Sequence, residues 1–288
     1  MENQSRESKF ELSILGALGF IGKLILYVLI IFGALVIFLV PIGLLIGEFT
    51  PISLETLKES AKLVSGLVFY LIAIAVAVKK AKKMSDNNFK IEYIGKLNYK
   101  LLLSIIFLMI GYYFWYHSSI GVITDKIPLP EFLKKAEREM ELHPYSAFFS
   151  LAIRAPIFEE IFMRGIILTG LLNRYRPKKA IIISALIFGI SHFNIVQSVN
   201  TTLIGLVLGL IYYKTNSLIL CIAAHMTNNI FAMIMGGAKE YMGYSPNIIS
   251  FVVGVLIFTG SAILFFQYLK ELDKKLEINK LYKNQEVL

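Results

Sequence analysis

The sequence contains few cysteines and few charged residues. Its one cysteine, Cys221, excludes an intramolecular disulfide and a zinc site built from several thiolates. Charged side chains make up 17% of the chain and hydrophobic ones 56%, whereas soluble domains carry about 25% charged residues. With eight prolines and no repetitive tract, the chain is also unlike collagen or a disordered protein. These shortages exclude a soluble globular domain and favour a membrane protein.

Long stretches without any charged residue are, by contrast, abundant. A helix needs about 20 residues to cross a hydrocarbon core about 30 Å thick, and about 17 are tolerated. Most of the uncharged stretches reach that length. They are 24–47, 63–78, 101–124, 180–213, 215–238 and 241–269.

The fourth of these stretches is too long for a single crossing. Its middle, from His192 to Asn200, is polar enough to form a turn, so the stretch predicts two short spans at about 180–192 and 198–213. A further apolar segment, 146–172, contains four charged residues and predicts one more span. The sequence therefore predicts an all-α, multi-pass membrane protein with about eight transmembrane helices.

Basic residues are distributed unevenly between the two predicted sides of the membrane. With the N-terminus inside, 20 of the 29 Lys and Arg residues lie in cytoplasmic segments and seven in the opposite loops. This asymmetry predicts that both termini are cytoplasmic, in the cell membrane. The net charge of +9 is thus explained by basic segments that lie next to the lipid bilayer, and it does not imply a nucleic-acid partner. One outer loop, 125–144, has apolar residues at near-helical spacing and predicts a short amphipathic helix.

Four charged residues remain inside the predicted span 146–172. Each would cost about 2.5–3.5 kcal/mol on insertion scales, which makes it a candidate for function. On a helix Glu160 and Arg164 are four residues apart and can pair, whereas Glu159 is rotated by about 100° from Glu160. The pattern thus leaves one carboxylate neutralised and the other available as a general base. For Arg154 we expect a structural role, with its head group reaching outward or meeting a loop carboxylate.

Two further polar patterns lie in later spans. His192 ends the fifth span, and His225 and Asn229 share one face of the seventh. At 1.5 Å per residue from the cytoplasmic flanks, Glu159 and these three residues lie at depths of about 16–22 Å. Because three separate spans bring such groups to one layer of the bilayer, the sequence predicts a buried polar site with catalytic capacity.

The residue types in this site suggest hydrolysis. A glutamate and a histidine can hold and deprotonate a water that attacks a peptide carbonyl. His225 and Asn229 can donate hydrogen bonds to the oxyanion that forms. Alternatively, Glu159, His192 and His225 match a zinc site with two histidines, one glutamate and a water. Residue types alone do not separate the two options.

The order Glu-Glu-x-x-x-Arg, Phe-x-x-x-His and His-x-x-x-Asn on successive spans resembles the CPBP family. These are the CAAX proteases and bacteriocin-processing enzymes, also called the Abi family, and they include the type II CAAX prenyl endopeptidases. The resemblance covers roughly 145–235. The residues that match are Glu159, Glu160, Arg164, Phe188, His192, His225 and Asn229.

The resemblance implies an eight-helix fold and a glutamate-type intramembrane endopeptidase, a hydrolase that needs no cofactor. In such an enzyme Glu159 and His192 would activate the water, and His225 and Asn229 would form the oxyanion site. The supporting residues would be Glu160, Arg164 and Phe188. The substrate would be a membrane-anchored peptide or protein. Zinc dependence stays open as an alternative, as does a non-catalytic immunity or scaffold protein of the same family.

The same comparison suggests how one membrane domain is organised. Residues 1–144 would form the N-terminal membrane helices, 145–238 the catalytic helical core, and 239–288 the last transmembrane helix with a basic cytoplasmic tail.

Abundant Ile and Lys with little Arg indicates an AT-rich genome and therefore a prokaryotic source. A small-solute carrier is disfavoured, because the sequence has no inverted repeat with matching broken helices.

Overall fold

The structure, a computed structural model, covers a large part of the chain. It describes residues 10–23, 26, 30, 54–85, 89–242 and 246–285, with the backbone alone at 54–63, 237–242 and 279–285. Throughout the described ranges every regular element is helical. In chain order the elements are α1 (Ile14–Lys23), α2 (Leu54–Met84), α3 (Tyr99–His117), α4 (Ile120–Thr124), α5 (Glu131–Leu142), α6 (Pro144–Phe148), π1 (Phe149–Arg154), α7 (Ala155–Glu160), π2 (Ile161–Leu168), α8 (Thr169–Arg174), α9 (Pro177–Ile190), α10 (Ile195–Thr215), α11 (Leu218–Met242) and α12 (Ile248–Gln285).

Several of these helices are long and apolar enough to cross a membrane. In the described part of the chain there are five, namely Val64–Met84 of α2, α3, α10, Leu218–Gly236 of α11 and Ile248–Ile278 of α12. A helical multi-pass membrane protein is therefore confirmed, but a count of eight spans is not. Nearly all of the predicted span 24–47 lies outside the described residues. The segment 146–172 is helical but divided into short α and π pieces, and α9 has only 14 residues.

Other predicted boundaries are changed by local chemistry. The third span, predicted over 101–124, ends at His117, where the Ser119 hydroxyl donates to the Trp115 carbonyl at 2.5 Å and competes with the helical bonds. At the other end of the chain, α12 continues through the whole of the basic segment 270–283 that was predicted as a tail. In the segment 125–144 the predicted amphipathic helix is present as α5.

Asparagine side chains mark the starts of three helices. Asn98 accepts from Lys100 N at 2.9 Å before α3, and Asn194 accepts from Val196 N at 3.0 Å before α10. Asn247 accepts from the backbone at 3.0 Å before α12. Because each oxygen satisfies an N–H group that the first turn leaves unpaired, these residues fix where the helices begin.

Contacts within the chain form two compact units. Unit 1 contains 1–91 and 131–187, and unit 2 contains 92–130 and 188–288. The boundaries at 144 and 238 were drawn from motifs rather than from contacts, and they stay predictions.

In unit 1 the chain before α1 packs onto α8. Leu12 N donates to the Gly170 carbonyl at 2.9 Å, and the Asn173 amide donates to the Phe10 carbonyl at 2.7 Å. A Cβ at Gly170 would lie 2.7 Å from the Leu12 side chain, so glycine allows the close approach. The Phe10 and Phe89 rings meet edge to face at 4.8 Å. This packing anchors the C-terminal end of the segment that carries Glu159.

In unit 2 the main contact is between α3 and α12. Gly111 of α3 faces the backbone of Phe258, and Gly254 of α12 faces the backbone of Phe114 and Trp115. Small residues at opposed positions let two membrane helices approach closely, which strengthens their van der Waals packing. This close pair supports the unit that carries the histidines.

The close crossing predicts that Gly254→Ala destabilises the protein. The added Cβ would lie 2.5 Å from Trp115 N and 2.9 Å from the Phe114 carbonyl carbon, so the helices must separate. We expect a loss of about 1–3 kcal/mol, as for other overpacked sites, measured by unfolding in detergent. Gly260→Ala on the same helix, where the new Cβ would meet no atom within 4 Å, is the matched control. Equal stability of the two variants would contradict the close packing.

Candidate active site

The predicted ion pair lies in the core of unit 1. Arg164 Nη1 donates to Glu160 Oε1 at 2.8 Å, and the two side chains are 1% and 0% exposed. A buried charge is tolerated only when a partner of opposite sign and good geometry offsets its desolvation. The predicted Glu160–Arg164 pair is therefore confirmed, as a closed pair away from water.

The helix that carries the two glutamates is not a regular α-helix. The α7 segment Ala155–Glu160 lies between π1 and π2. Pro156 has no N–H and its ring conflicts with the carbonyl four residues earlier, which lies in π1. A π turn holds more residues than an α turn and often occurs at functional sites. The span predicted at 146–172 is thus helical but irregular, and proline in mid-helix was the available signal.

Glu159 has a different environment from its neighbour Glu160. Its side chain is half-buried, whereas that of Glu160 is fully buried. The preceding Phe158 stacks on the ring of Tyr70, with centroids 4.8 Å apart. The sequence separates the two carboxylates by rotation around a helix, and the structure separates them by exposure as well.

In unit 2 both histidines pack against one aromatic ring. The Phe188 ring is 2% exposed and lies 5.2 Å from the ring of His192 and 5.9 Å from that of His225, edge to face in both cases. Phe188 therefore acts as a fixed spacer between two side chains that are 33 positions apart in the sequence.

His192 lies in the turn between α9 and α10. This turn is shorter than the predicted one, which ran from His192 to Asn200. Its Nδ1 lies 2.9 Å from the Phe188 carbonyl, which also accepts the Ser191 hydroxyl at 2.7 Å. When Nδ1 carries the proton and donates to that carbonyl, Nε2 presents a lone pair. This tautomer suits a proton acceptor or a metal ligand.

Two backbone features hold the turn in place. Phe193 has a φ of 52°, a left-handed conformation that is uncommon outside glycine, and it reverses the chain directly after His192. One turn earlier, Gly189 lies against Thr202 Oγ1 and the Ser198 carbonyl at the start of α10. Any larger residue at Gly189 would push α9 away from α10 and displace His192.

The third motif lies on α11. His225 is 6% exposed, and Asn229 follows one turn later on the same helix. The buried Asn228 donates from Nδ2 to Asn229 Oδ1 at 3.1 Å, which orients the Asn229 amide. The sequence analysis did not single out Asn228, and its position beside Asn229 was the only signal.

The structure thus groups the predicted residues in two sets. Unit 1 pairs Glu160 with Arg164, and unit 2 places His192 and His225 around Phe188. Glu159 belongs to the first set and the histidines to the second. The meeting of Glu159 with the histidines stays a prediction.

The donor set for zinc can be tested within each unit. Over the described residues of either unit, no group of three or more His, Cys, Asp or Glu side chains is arranged as a metal site. Unit 2 alone supplies two histidine ligands, and a catalytic zinc needs three protein ligands. The buried thiol of Cys221 lies 3.5 Å from the Leu208 carbonyl of α10.

Comparison with known proteins supports the family suggested by the motifs. Residues 141–231, about a third of the chain, match the family model described as type II CAAX prenyl endopeptidase Rce1-like. The match supports the CPBP/CAAX protease family. It contains all seven residues on which the resemblance was based. Neither the curated proteins nor the solved structures gave a match to this chain.

The closed ion pair predicts a large effect of Arg164→Ala on stability. Removal of the guanidinium leaves the Glu160 carboxylate buried without its partner, which we expect to cost about 3–5 kcal/mol in detergent unfolding. The matched control is Lys134→Ala, because Lys134 pairs with Glu131 at 2.7 Å on the exposed helix α5. That exposed pair should be worth about 0–1 kcal/mol. Similar losses in the two variants would show that the buried pair is not needed for folding.

Proposed function

We propose that this protein is a glutamate-type intramembrane endopeptidase that hydrolyses a peptide bond of a membrane-anchored peptide or protein. The observation that carries the proposal is the placement of His192 and His225 around Phe188, within the segment that matches the CAAX protease family. Two imidazoles held at fixed spacing by one buried ring provide the rigid support that hydrolysis requires.

In this proposal Glu159 and His192 activate the water. Glu159, outside the closed ion pair, accepts the water proton as the oxygen attacks the peptide carbonyl. Nε2 of His192 accepts a second hydrogen bond from that water and orients it. The proton then passes from Glu159 to the leaving amine, so the site returns to its starting protonation state.

The oxyanion of the tetrahedral intermediate would be bound by His225 and Asn229. An imidazole N–H and an amide N–H that are already oriented stabilise developing charge without reorganising. The bond from Asn228 to Asn229 supports this role, because it engages the amide oxygen of Asn229 and so fixes the orientation of its amide group. Glu160 and Arg164 would support the site through packing.

We further propose that both termini are cytoplasmic and that the protein resides in a prokaryotic cell membrane. The asymmetry of the basic residues supports the orientation. Residues 1–144, which carry no motif of the family, would select the substrate.

We propose hydrolysis without a metal ion. If zinc is instead required, Glu159, His192 and His225 would be its ligands, and a zinc-bound water would be the nucleophile. A chelator that abolishes turnover, with recovery on addition of zinc, would favour the zinc enzyme. Unchanged turnover in the chelator would support the metal-free mechanism.

The mechanism predicts that Glu159→Ala and His192→Ala abolish turnover. Membrane peptides from cells that express the wild type and Glu159→Ala are compared by mass spectrometry to find the cleaved sequence. A quenched peptide of that sequence then gives kcat in detergent. We expect losses of about a hundredfold to ten-thousandfold for either variant, because each removes a group that moves or orients the proton.

Two controls match these variants in residue type. Glu137→Ala, on the exposed face of α5, and His143→Ala, before α6, should keep wild-type kcat. Wild-type cleavage by Glu159→Ala would refute the mechanism. A non-catalytic immunity or scaffold protein predicts a different result, namely that the nearly isosteric Glu159→Gln preserves the cellular phenotype while no peptide differs between the two cell samples.

A further inference from the structure

Arg154 is a cation within an apolar helical segment of unit 1, and the charge needs compensation. It ends π1 and is half-buried, and its Nε is buried with no hydrogen-bond acceptor among the described residues. The sequence analysis expected this side chain to reach outward or to meet a loop carboxylate. The structure instead directs it to α2.

The guanidinium of Arg154 has a specific place on α2. Its Cζ lies 5.4 Å from the centroid of the Tyr70 ring, within range of a cation–π interaction. One helical turn before Tyr70, a Cβ at Gly66 would lie 2.5 Å from Nη1 of Arg154. Glycine at this position therefore makes room for the cation beside the ring.

Tyr70 connects this cation to the segment that carries Glu159. Its ring stacks on Phe158 with centroids 4.8 Å apart and planes at 18°. Phe158 immediately precedes Glu159, so this stack fixes the backbone from which the Glu159 side chain projects. Tyr70 thus contacts the cation and, through Phe158, holds the residue proposed as the general base.

The four charged residues of the segment 146–172 form two pairs of opposite charge. Glu160 and Arg164 form the closed pair at 2.8 Å. Arg154 and Glu159 are the other cation and anion of the segment, and Tyr70 contacts the guanidinium of the first and the residue that precedes the second. Opposite charges attract more strongly in an apolar medium than in water, so the two are expected to stabilise each other.

We propose that Arg154 and Tyr70 are positioning residues for Glu159. Arg154 offsets the charge of the carboxylate in the membrane, and Tyr70 fixes the distance between them by its stack on Phe158. The catalytic consequence rests on the proposed function, since it assumes that Glu159 is the base. The electrostatic coupling does not depend on catalysis.

The coupling is tested by a double-mutant cycle on stability, with Arg154→Gln and Glu159→Gln. We expect Arg154→Gln to lower the melting temperature in detergent by at least about 2 °C more in the wild type than in the Glu159→Gln background. Arg138→Gln on the exposed face of α5 serves as the control and should show no such difference. Equal losses in both backgrounds would overturn the proposal.

The positioning role is tested by steady-state kinetics on the peptide identified above. Arg154→Gln and Tyr70→Leu should lower kcat about tenfold or more with little change in KM, because a displaced base affects the chemical step. Arg154→Lys keeps the charge and should recover most of the loss. Tyr145→Leu, at a side chain 91% exposed, is the control for removal of an aromatic ring. An effect of Arg154→Gln on KM alone, or none on kcat, would overturn the positioning role.

The two experiments separate this inference from the proposed function. If the melting temperatures show coupling between Arg154 and Glu159 but the wild type cleaves no peptide, the endopeptidase is refuted and the electrostatic interaction of the two residues is supported. Cleavage that depends on Glu159 but not on Arg154 or Tyr70 would support the endopeptidase and refute the positioning role.

Discussion

The cost of placing charge in an apolar medium determines how the segment 146–172 is built. Within 146–172 two acids and two bases sum to zero, so the segment can lie in the membrane without a net charge. Glu160 and Arg164 meet this cost by direct contact, with both side chains buried. For Glu159 we propose that Arg154 supplies the compensating charge.

Rigid apolar contacts support the polar groups in each unit. In unit 1 the stack of Phe158 on Tyr70 fixes the start of the segment, and the contact of Gly170 with Leu12 fixes its end. In unit 2 Phe188 sets the spacing of the two histidines. Polar side chains in a membrane protein have few solvent contacts to orient them, so packing and backbone bonds supply their geometry.

Local spacing predicted the features that depend on neighbours in sequence. The buried pair follows from the four-residue spacing of Glu160 and Arg164, and the break at His192 follows from a polar run between two apolar ones. The role of Tyr70 could not be predicted, because its contacts with Phe158 and Arg154 join positions more than 80 residues apart. The count of eight spans stays a prediction, since hydropathy does not show how the segment 146–172 divides into short α and π pieces. The joint site of Glu159 with the histidines stays a prediction.

That Glu159 and His192 act on one water molecule is the central claim of this account, and their double variant tests it most directly. Residues that act as a unit give strongly non-additive losses, because removal of either one already disables the step. For Glu159→Ala combined with His192→Ala, the account predicts a kcat about equal to that of the less active of the two single variants. Losses that multiply, as for two independent groups, would contradict it.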